Sequence, residues 1–450
     1  MSQHQLYQSH FIPEEFAERR SKVFDAIGPD GIGVLQGAPR PESFDPFRQT
    51  NEFFYLCGVE VAHAYLQLDS RERKTTLYLP GHDDGHERSE GPVLHSDDPE
   101  TVLKLTGVDA VKKPEDLEGD LKGVSKLFVT QCPSEGARQA RDTLHHSRRL
   151  AEADPWNSMP APEKNFIATL KKLAPSADIE DLSPLLDSMR LNKSTAEIEM
   201  MRYSGKLTAL AVVEAMRSTR PGQREYQLEA AADYVYRVNG ARGAGYCAII
   251  AGGTNIWHGH YNRNDCELLD GDLVLMDYAP DFGNYTSDIG RMWPVNGKYS
   301  DWQRELYGFI VEYHKAVLKH LRPNVTAKEI MDDAAADMKP VVDSTQWSKP
   351  SYEEAARKAL EWQGHLSHPV GMAVHDVGRY REEPLIPGLV ISIDPSIWVP
   401  GEQTYVRVED TIVITEDGHE NFTDLAPLEL DEVETTIQEQ GIVEKLPPIS

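Results

Sequence analysis

Cysteine is scarce in this chain: four residues, Cys57, Cys132, Cys247 and Cys266, occur with no C-x-x-C pair among them. That spacing argues against a disulfide framework and a thiolate zinc site, and the four read as reduced bystanders. No apolar run approaches the ~20 residues of a membrane span. The first residues, MSQHQLYQSHFIPEEFAERRSK, contain no apolar signal core, so the expected location is cytoplasmic. Positive charge is also in short supply, with 46 Lys and Arg against 73 Asp and Glu and a net charge of −27. Such a surface repels phosphate backbones and anionic lipid, so neither nucleic acid nor a membrane is an expected partner. No Ser-His-Asp or Cys-His nucleophilic arrangement is visible.

What is present is a chain of 450 residues, 40% hydrophobic, long enough to bury full cores in two or more domains. Up to residue 176, strand-like runs (GIGVLQG, AYLQLD, TTLYLP, KLFVTQ) alternate with helical stretches near 14–27 and 134–151, the pattern of a smaller α/β domain. The polar segment from His82 to Glu100 reads as a solvated loop. A boundary is expected at 176/177. Beyond it Ser194 and Glu197 form a capping box ahead of a long helical run, and Pro221-Gly222 ends that helix. A second helix closes on Asn239-Gly240, and two more are expected at about 302–321 and 326–342. Strand candidates lie at 246–251, 273–278, 285–293, 389–394 and 405–414. The domain 177–440 is therefore α+β with segregated hairpins, and 441–450 reads as a loose tail.

The segment LVLMDYAPDFGNYTSDIGR, residues 273–291, places Asp277 and Asp288 symmetrically about Phe282-Gly283 and reads as a hairpin with a Gly-Asn turn. The two carboxylates would face each other, and like charges opposed across strands destabilise a sheet unless a cation lies between them. A second pair repeats the pattern, with Asp394 ending LVISID, Glu409 in YVRVED, and Pro400-Gly401-Glu402 between them. His368 and His375 lie between the hairpins in sequence, and His258 and His260 lie upstream. Four carboxylates and an imidazole form a hard site suited to Mn²⁺, Co²⁺, Fe²⁺ or Zn²⁺, with oxygens enough for two ions.

The order Asp, Asp, His, Asp, Glu, together with FRQTNEFFYLCGVE at 47–60, RPGQREYQLEAAADYVYRVNGAR, LSHPVGMAVHD at 366–376 and VRVEDTIVITEDGHENFT, resembles the aminopeptidase P and prolidase family of metallopeptidases over nearly the whole chain. The resemblance implies a pita-bread catalytic domain behind an aminopeptidase P-type N-terminal domain. It implies a proline-specific metallopeptidase, an Xaa-Pro aminopeptidase acting on peptides through a hydroxide bridging two divalent ions, with manganese the first choice. A dipeptidase of the prolidase kind and a catalytically altered binding or scaffold protein are the alternatives. By the same resemblance Asp277 would bind one metal and Asp288 bridge both, with His368, Asp394 and Glu409 completing the shell. His260 and His375 would contact substrate and the tetrahedral intermediate. Asp394 would accept the proton of the attacking water, and Arg407 would organise the second hairpin or the substrate. A homodimer or homotetramer is implied as well.

The chain departs from that family at three places. Asp394 stands where Glu is usual, one methylene short. Tyr278 follows Asp277 where a small residue is usual, and the histidine signature opens Gly364-His365 rather than His-Gly.

Overall fold

The computed structural model describes residues 5–449, which divide into two compact units between Arg190 and Leu191. In the first unit, strands β1 (Ile32–Gln36), β2 (Tyr65–Asp69), β3 (Lys74–Tyr78), β4 (Ala110–Lys112), β5 (Lys126–Val129) and β6 (Asp178–Asp181) form one sheet in the order β4-β3-β2-β1-β5-β6. Antiparallel β1–β2–β3 is extended by parallel partners on both sides. β6 lies beyond the boundary expected at 176/177 but pairs with β5, Lys126 opposite Asp178, so the unit extends past it. Its sequence, DIED, has no apolar run to mark it, because an edge strand buries little. The helical expectation at 134–151 narrows to Arg141–Ala153, and the expected loop at 82–100 contains a short helix, Asp84–Glu90, capped by Asp83.

The second unit is built on a seven-stranded sheet. Its strands are β8 (Ile249–Gly252), β9 (Leu273–Asp277), β11 (Ile289–Pro294), β12 (Leu366–Pro369), β13 (Val390–Ile393), β16 (Glu409–Ile414) and β17 (His419–Asn421). They run β12-β13-β16-β11-β9-β8, with β17 beside β16. Two short ribbons accompany the sheet, β7 (Gly243–Ala244) with β10 (Pro280–Asp281), and β14 (Ser396–Val399) with β15 (Thr404–Arg407). Helix Thr195–Ser218 starts on the expected capping box: Ser194 accepts from the Glu197 N–H, and Glu197 accepts from the Ser194 N–H at 2.9 Å. Glu197 is buried there and also accepts from the Tyr285 hydroxyl at 2.7 Å, tying the helix to the first acidic hairpin. Helices Glu225–Val238, Asp301–His320, Ala327–Ser344 and Pro350–Glu361 contribute apolar faces to the same core.

The tail is docked at its start. Residues Ile442–Lys445 form a helical turn whose Ile442 N–H donates to Glu214, and Arg220 meets Glu444 at 2.7 Å. Among the described residues no helix is long and apolar enough to cross a membrane.

Candidate metal centre

Sheet register sets the site. Asp277 on β9 stands opposite Gly290 on β11, and Gly290 stands opposite Glu409 on β16. The register of β13 with β16 (Ile393 opposite Asp410) continues into that of β14 with β15 (Ser396 opposite Arg407), which puts Asp394 opposite Glu409. Asp394, Glu409, Gly290 and Asp277 thus form one row across four strands, and residues abreast in an antiparallel sheet share a face. Gly290 is the gap in that row. A Cβ there would lie 2.9 Å from the Glu409 Cβ and 3.2 Å from both Glu409 Oε2 and Arg407 Nε, so a glycine is needed to leave space between the carboxylates.

The first hairpin departs from its expected symmetry. With Asp277 opposite Gly290, Asp288 falls just before β11 rather than across from Asp277. Its turn is as expected at the tip, where Gly283 and Asn284 both have positive φ and Phe282 pairs with Tyr285. The two aspartates meet instead through Tyr246, whose hydroxyl lies 2.6 Å from Asp277 Oδ1 and 2.9 Å from Asp288 Oδ1. Thr411 fixes Asp288 from the other side, accepting its N–H at 2.7 Å and donating to its carbonyl at 2.8 Å.

His368, on edge strand β12, brings Nε2 to 3.5 Å from Asp288 Oδ2. Its Nδ1 lies 3.1 Å from the Pro369 carbonyl, which can only accept, so the proton of a neutral ring sits on Nδ1 and Nε2 carries the lone pair. One ligand atom each from Asp288, His368 and Glu409 lies within 4.8 Å of the others, a spacing that one ion can span. Ser392 orients Glu409, donating to Oε1 at 2.6 Å. His375 lies beside His368 with ring centroids 4.2 Å apart and the rings tilted by 51°, and His260 follows His375 at 5.9 Å. The Thr286 N–H donates to the Gly371 carbonyl at 2.9 Å, joining the histidine loop to the first hairpin.

Arg407 lies inside the site rather than at its edge. Its guanidinium contacts Asp277, Glu409 at 3.0 Å and Asp394 at 3.5 Å. Four carboxylates, those of Asp277, Asp288 and Glu409 buried and that of Asp394 part-buried, against one guanidinium leave three negative charges uncompensated if all are ionised. Burial, and then the charges of Glu409 and Asp277, push the Asp288 carboxyl well above its ordinary range. Burial and Glu409 do the same to Asp394 against the opposing pull of Arg407. Asp394 Oδ1 and Glu409 Oε2 are buried without a well-formed hydrogen bond, the latter despite its 3.0 Å approach to Arg407. The glycine gap, the two orphaned oxygens and the imidazole lone pair suit divalent cations, whose charge would lower the cost of burying these carboxylates.

Two of the departures in sequence point away from this face. The Tyr278 hydroxyl donates to Asp233 at 2.6 Å, and its ring meets Tyr236 and Tyr246 edge-on, so it supports Tyr246 and does not crowd the ligands. His365 is buried against Tyr313, its Nε2 2.8 Å from the Ala359 carbonyl, and does not take the place of a histidine at 364. Burial lowers its pKa to about 4. Tyr246, Gly290, Ser392 and Thr411 were missed by sequence reasoning. Only Tyr246 had a signal, at the head of an expected strand, while the others depend on which strands become neighbours.

Behind the row, Asp410 is clamped by Arg291 at 2.7 Å and His314 at 3.0 Å, and Arg291 also donates to the Glu409 carbonyl at 2.7 Å. Burial would raise the Asp410 carboxyl, but Arg291 and then His314 outweigh it and hold the group well below its usual range. Asp410 therefore stays ionised and anchors the strand that carries Glu409.

Comparison with known proteins finds the model of metallopeptidase family M24 over residues 199–416 and that of the aminopeptidase P N-terminal domain over residues 16–128. The chain is 31% identical to the Xaa-Pro aminopeptidase of Escherichia coli K12 over 443 residues, covering 92% of this chain and 95% of that protein. It is 30% identical to Xaa-Pro aminopeptidase 3 of Rattus norvegicus, covering 93% and 85%. Among solved structures, an E. coli aminopeptidase P variant in complex with substrate aligns with TM-score 0.76 and 28% identity over 95% of this chain and 99% of that one.

Proposed function

The chain belongs to metallopeptidase family M24, with an aminopeptidase P-type N-terminal domain, and is a metal-dependent hydrolase; on that premise we propose that it is a dinuclear Xaa-Pro aminopeptidase, releasing the N-terminal residue from peptides with proline second. The observation that carries this reading is the row Asp394–Glu409–Gly290–Asp277, with Asp288 and His368 closing on it. Asp277, Asp288, His368, Asp394 and Glu409 would hold two divalent ions, Mn²⁺ before Co²⁺, Fe²⁺ or Zn²⁺. Bound there, such ions supply Lewis acidity and lower the pKa of water toward 7.

The remaining roles fall to the chain's own side chains. Asp394, with one buried oxygen lacking a hydrogen bond, is placed to accept a proton from the attacking water and pass it to the leaving nitrogen. His375 and His260 line the approach beyond His368 and can donate to the scissile carbonyl as it gains charge. Arg407 holds Asp277 and Glu409 in place. The chain's net charge of −27 does not oppose a substrate with a free ammonium. The four cysteines, free of disulfides, suit a reducing compartment, and we read the protein as cytoplasmic and as a homodimer or homotetramer.

With Mn²⁺ added, the protein should cleave Xaa-Pro-Yaa peptides, and Asp288→Asn should lose more than about a hundredfold of that activity, beyond the effect of outer-shell partners. Cleavage limited to Xaa-Pro dipeptides would make it a prolidase, and no cleavage of either would sink the reading. Asp394→Glu should retain or raise the rate, because it restores the usual reach. Abolished activity in that variant would mean that the site is built around the shorter acid.

A further inference from the structure

Away from the ligand row, Glu225 at the start of helix Glu225–Val238 is fully buried, and its carboxylate holds both ends of the loop that carries His260. Oε1 accepts from the Gly252 N–H at 2.8 Å and from the Asn255 side-chain amide at 2.9 Å, where the loop leaves β8. Oε2 accepts from the Tyr261 hydroxyl at 2.8 Å and from the Cys266 N–H at 2.9 Å, where the loop returns. The Glu225 N–H donates to the Cys266 carbonyl at 3.0 Å, which fixes the helix start against the same return. Between the anchors the backbone closes in two turns, with the His258 N–H donating to the Asn255 carbonyl at 3.0 Å and the Tyr261 N–H to the His258 carbonyl at 3.1 Å. One ligand atom each of Glu225, Asp265 and Cys266 lies within 4.8 Å of the others, but the Tyr261 hydroxyl already approaches all three, at 2.8, 3.5 and 3.5 Å. Each carboxylate oxygen has two lone pairs and accepts from two donors of the chain, which makes Glu225 an anchor rather than an ion ligand.

We propose that Glu225 is a positioning residue for His260, fixing from outside the metal centre where that imidazole stands. The proposal rests on the aminopeptidase reading for what His260 does. His260 is exposed, so burial does not hold its ring at 5.9 Å from that of His375. Its place follows from the backbone it shares with the next residue, Tyr261, whose hydroxyl is bound to the buried carboxylate. An amide at position 225 cannot replace that carboxylate, because it has one accepting oxygen. The oxygen can serve the Gly252–Asn255 end or the Cys266 end, and the NH₂ group then faces an N–H at the other. One end of the loop is freed, and a displacement of ~1 Å at a group that meets the reacting carbonyl costs on the order of a hundredfold in rate.

The test uses the full chain loaded with Mn²⁺. Glu225→Gln should lower kcat on Xaa-Pro-Yaa peptides by about ten- to a hundredfold and leave KM nearly unchanged, since His260 acts as the carbonyl gains charge. In a His260→Ala background the same substitution should cost less than about threefold, the two changes sharing one route. The rise in melting temperature on adding Mn²⁺ should match that of the native protein, and amide hydrogen exchange should quicken in 253–265 but not in 366–376. Tyr261→Phe removes a single donor and should show the same pattern with a loss of about three- to tenfold, which keeps the test open if Glu225→Gln does not fold. Equal losses with and without His260, a lost Mn²⁺ response, or unchanged exchange in 253–265 overturns the proposal. If the native protein cuts no Xaa-Pro peptide, the aminopeptidase reading falls, and faster exchange confined to 253–265 still upholds Glu225 as the anchor of the His260 loop.

Discussion

In the first unit Glu52, Glu135 and Asp187 face Arg141 and Arg190; in the second, Asp277, Asp288, Asp394 and Glu409 face Arg407 alone. Both clusters are largely buried, with Asp187 and Asp394 the most exposed members, and both join distant segments. In the first, Arg141 reaches Glu52 at 2.5 Å, Glu135 at 3.1 Å and Asp187 at 2.6 Å, and Arg190 meets Glu135 at 3.0 Å. Three carboxylates against two guanidiniums leave one excess negative charge, which a single shared proton removes. The second cluster is short by three if all its carboxylates are ionised, and Glu409 Oε2 borders a gap kept open by Gly290. The first cluster is nearly neutral by itself and serves as scaffold; the second needs cations from outside the chain.

The largest effect that would break this contrast is expected in the scaffold. Arg190→Met would leave the first cluster two charges short and buried, and should destabilise the protein by about 3–5 kcal/mol, the usual cost of removing one partner from a buried pair. A displaced urea midpoint measures it. A loss below about 1 kcal/mol would mean that water reaches the cluster and that burial does not set its energetics.

Next in size is the response to metal. A ligand at a hundred times its Kd stabilises the folded state by about 2.7 kcal/mol, so Mn²⁺ should raise the melting temperature of the native chain and EDTA should reverse the gain. Asp288→Asn should lose most of that gain while making the metal-free protein more stable, because it removes a like charge from a crowded set. Arg190→Met should keep the gain. Equal responses from the two variants would show that the clusters do not differ as described.

How much of this was legible in sequence follows from what each residue depends on. Asp277, Asp288, Asp394 and Glu409 could be paired from strand periodicity and turn residues, and the second hairpin has the register that its turn implies. The first does not, because the eleven residues from Tyr278 to Asp288 include the β10 ribbon and offset Asp288 from its expected partner. β6 was missed since DIED lacks the apolar alternation that marks a strand. Gly290 and Thr411 acquire meaning only when β11 lies beside β16, a long-range pairing that no local pattern encodes. The position of Arg407 among the ligands was likewise hidden, because a sequence gives a side chain's place on a strand but not the charge deficit that draws it inward.

The smallest expected effect tests the one excess charge of the scaffold cluster. Burial, and then the neighbouring Glu135, raise the Glu52 carboxyl to about 7, against the opposing pulls of Arg190 and Arg141. The unfolded chain would titrate this group near its ordinary value, about 4.3. Between those values the folded state holds a proton that the unfolded state has released, so this group's contribution to stability is full below pH ~4 and declines as pH rises toward 7. The slope cannot exceed about 1.4 kcal/mol per pH unit for one proton. Glu52→Gln removes it, so the difference in urea-derived stability between native protein and variant should shift in the variant's favour from pH 5 to pH 7 and level off above. His365 works in the opposite sense, since its pKa of about 4 makes stability fall as pH drops from 6.5. Because His365 is unchanged in Glu52→Gln, its contribution cancels in the difference. A flat difference would mean that the two guanidiniums hold all three carboxylates ionised, and the first cluster would then carry its excess charge unrelieved.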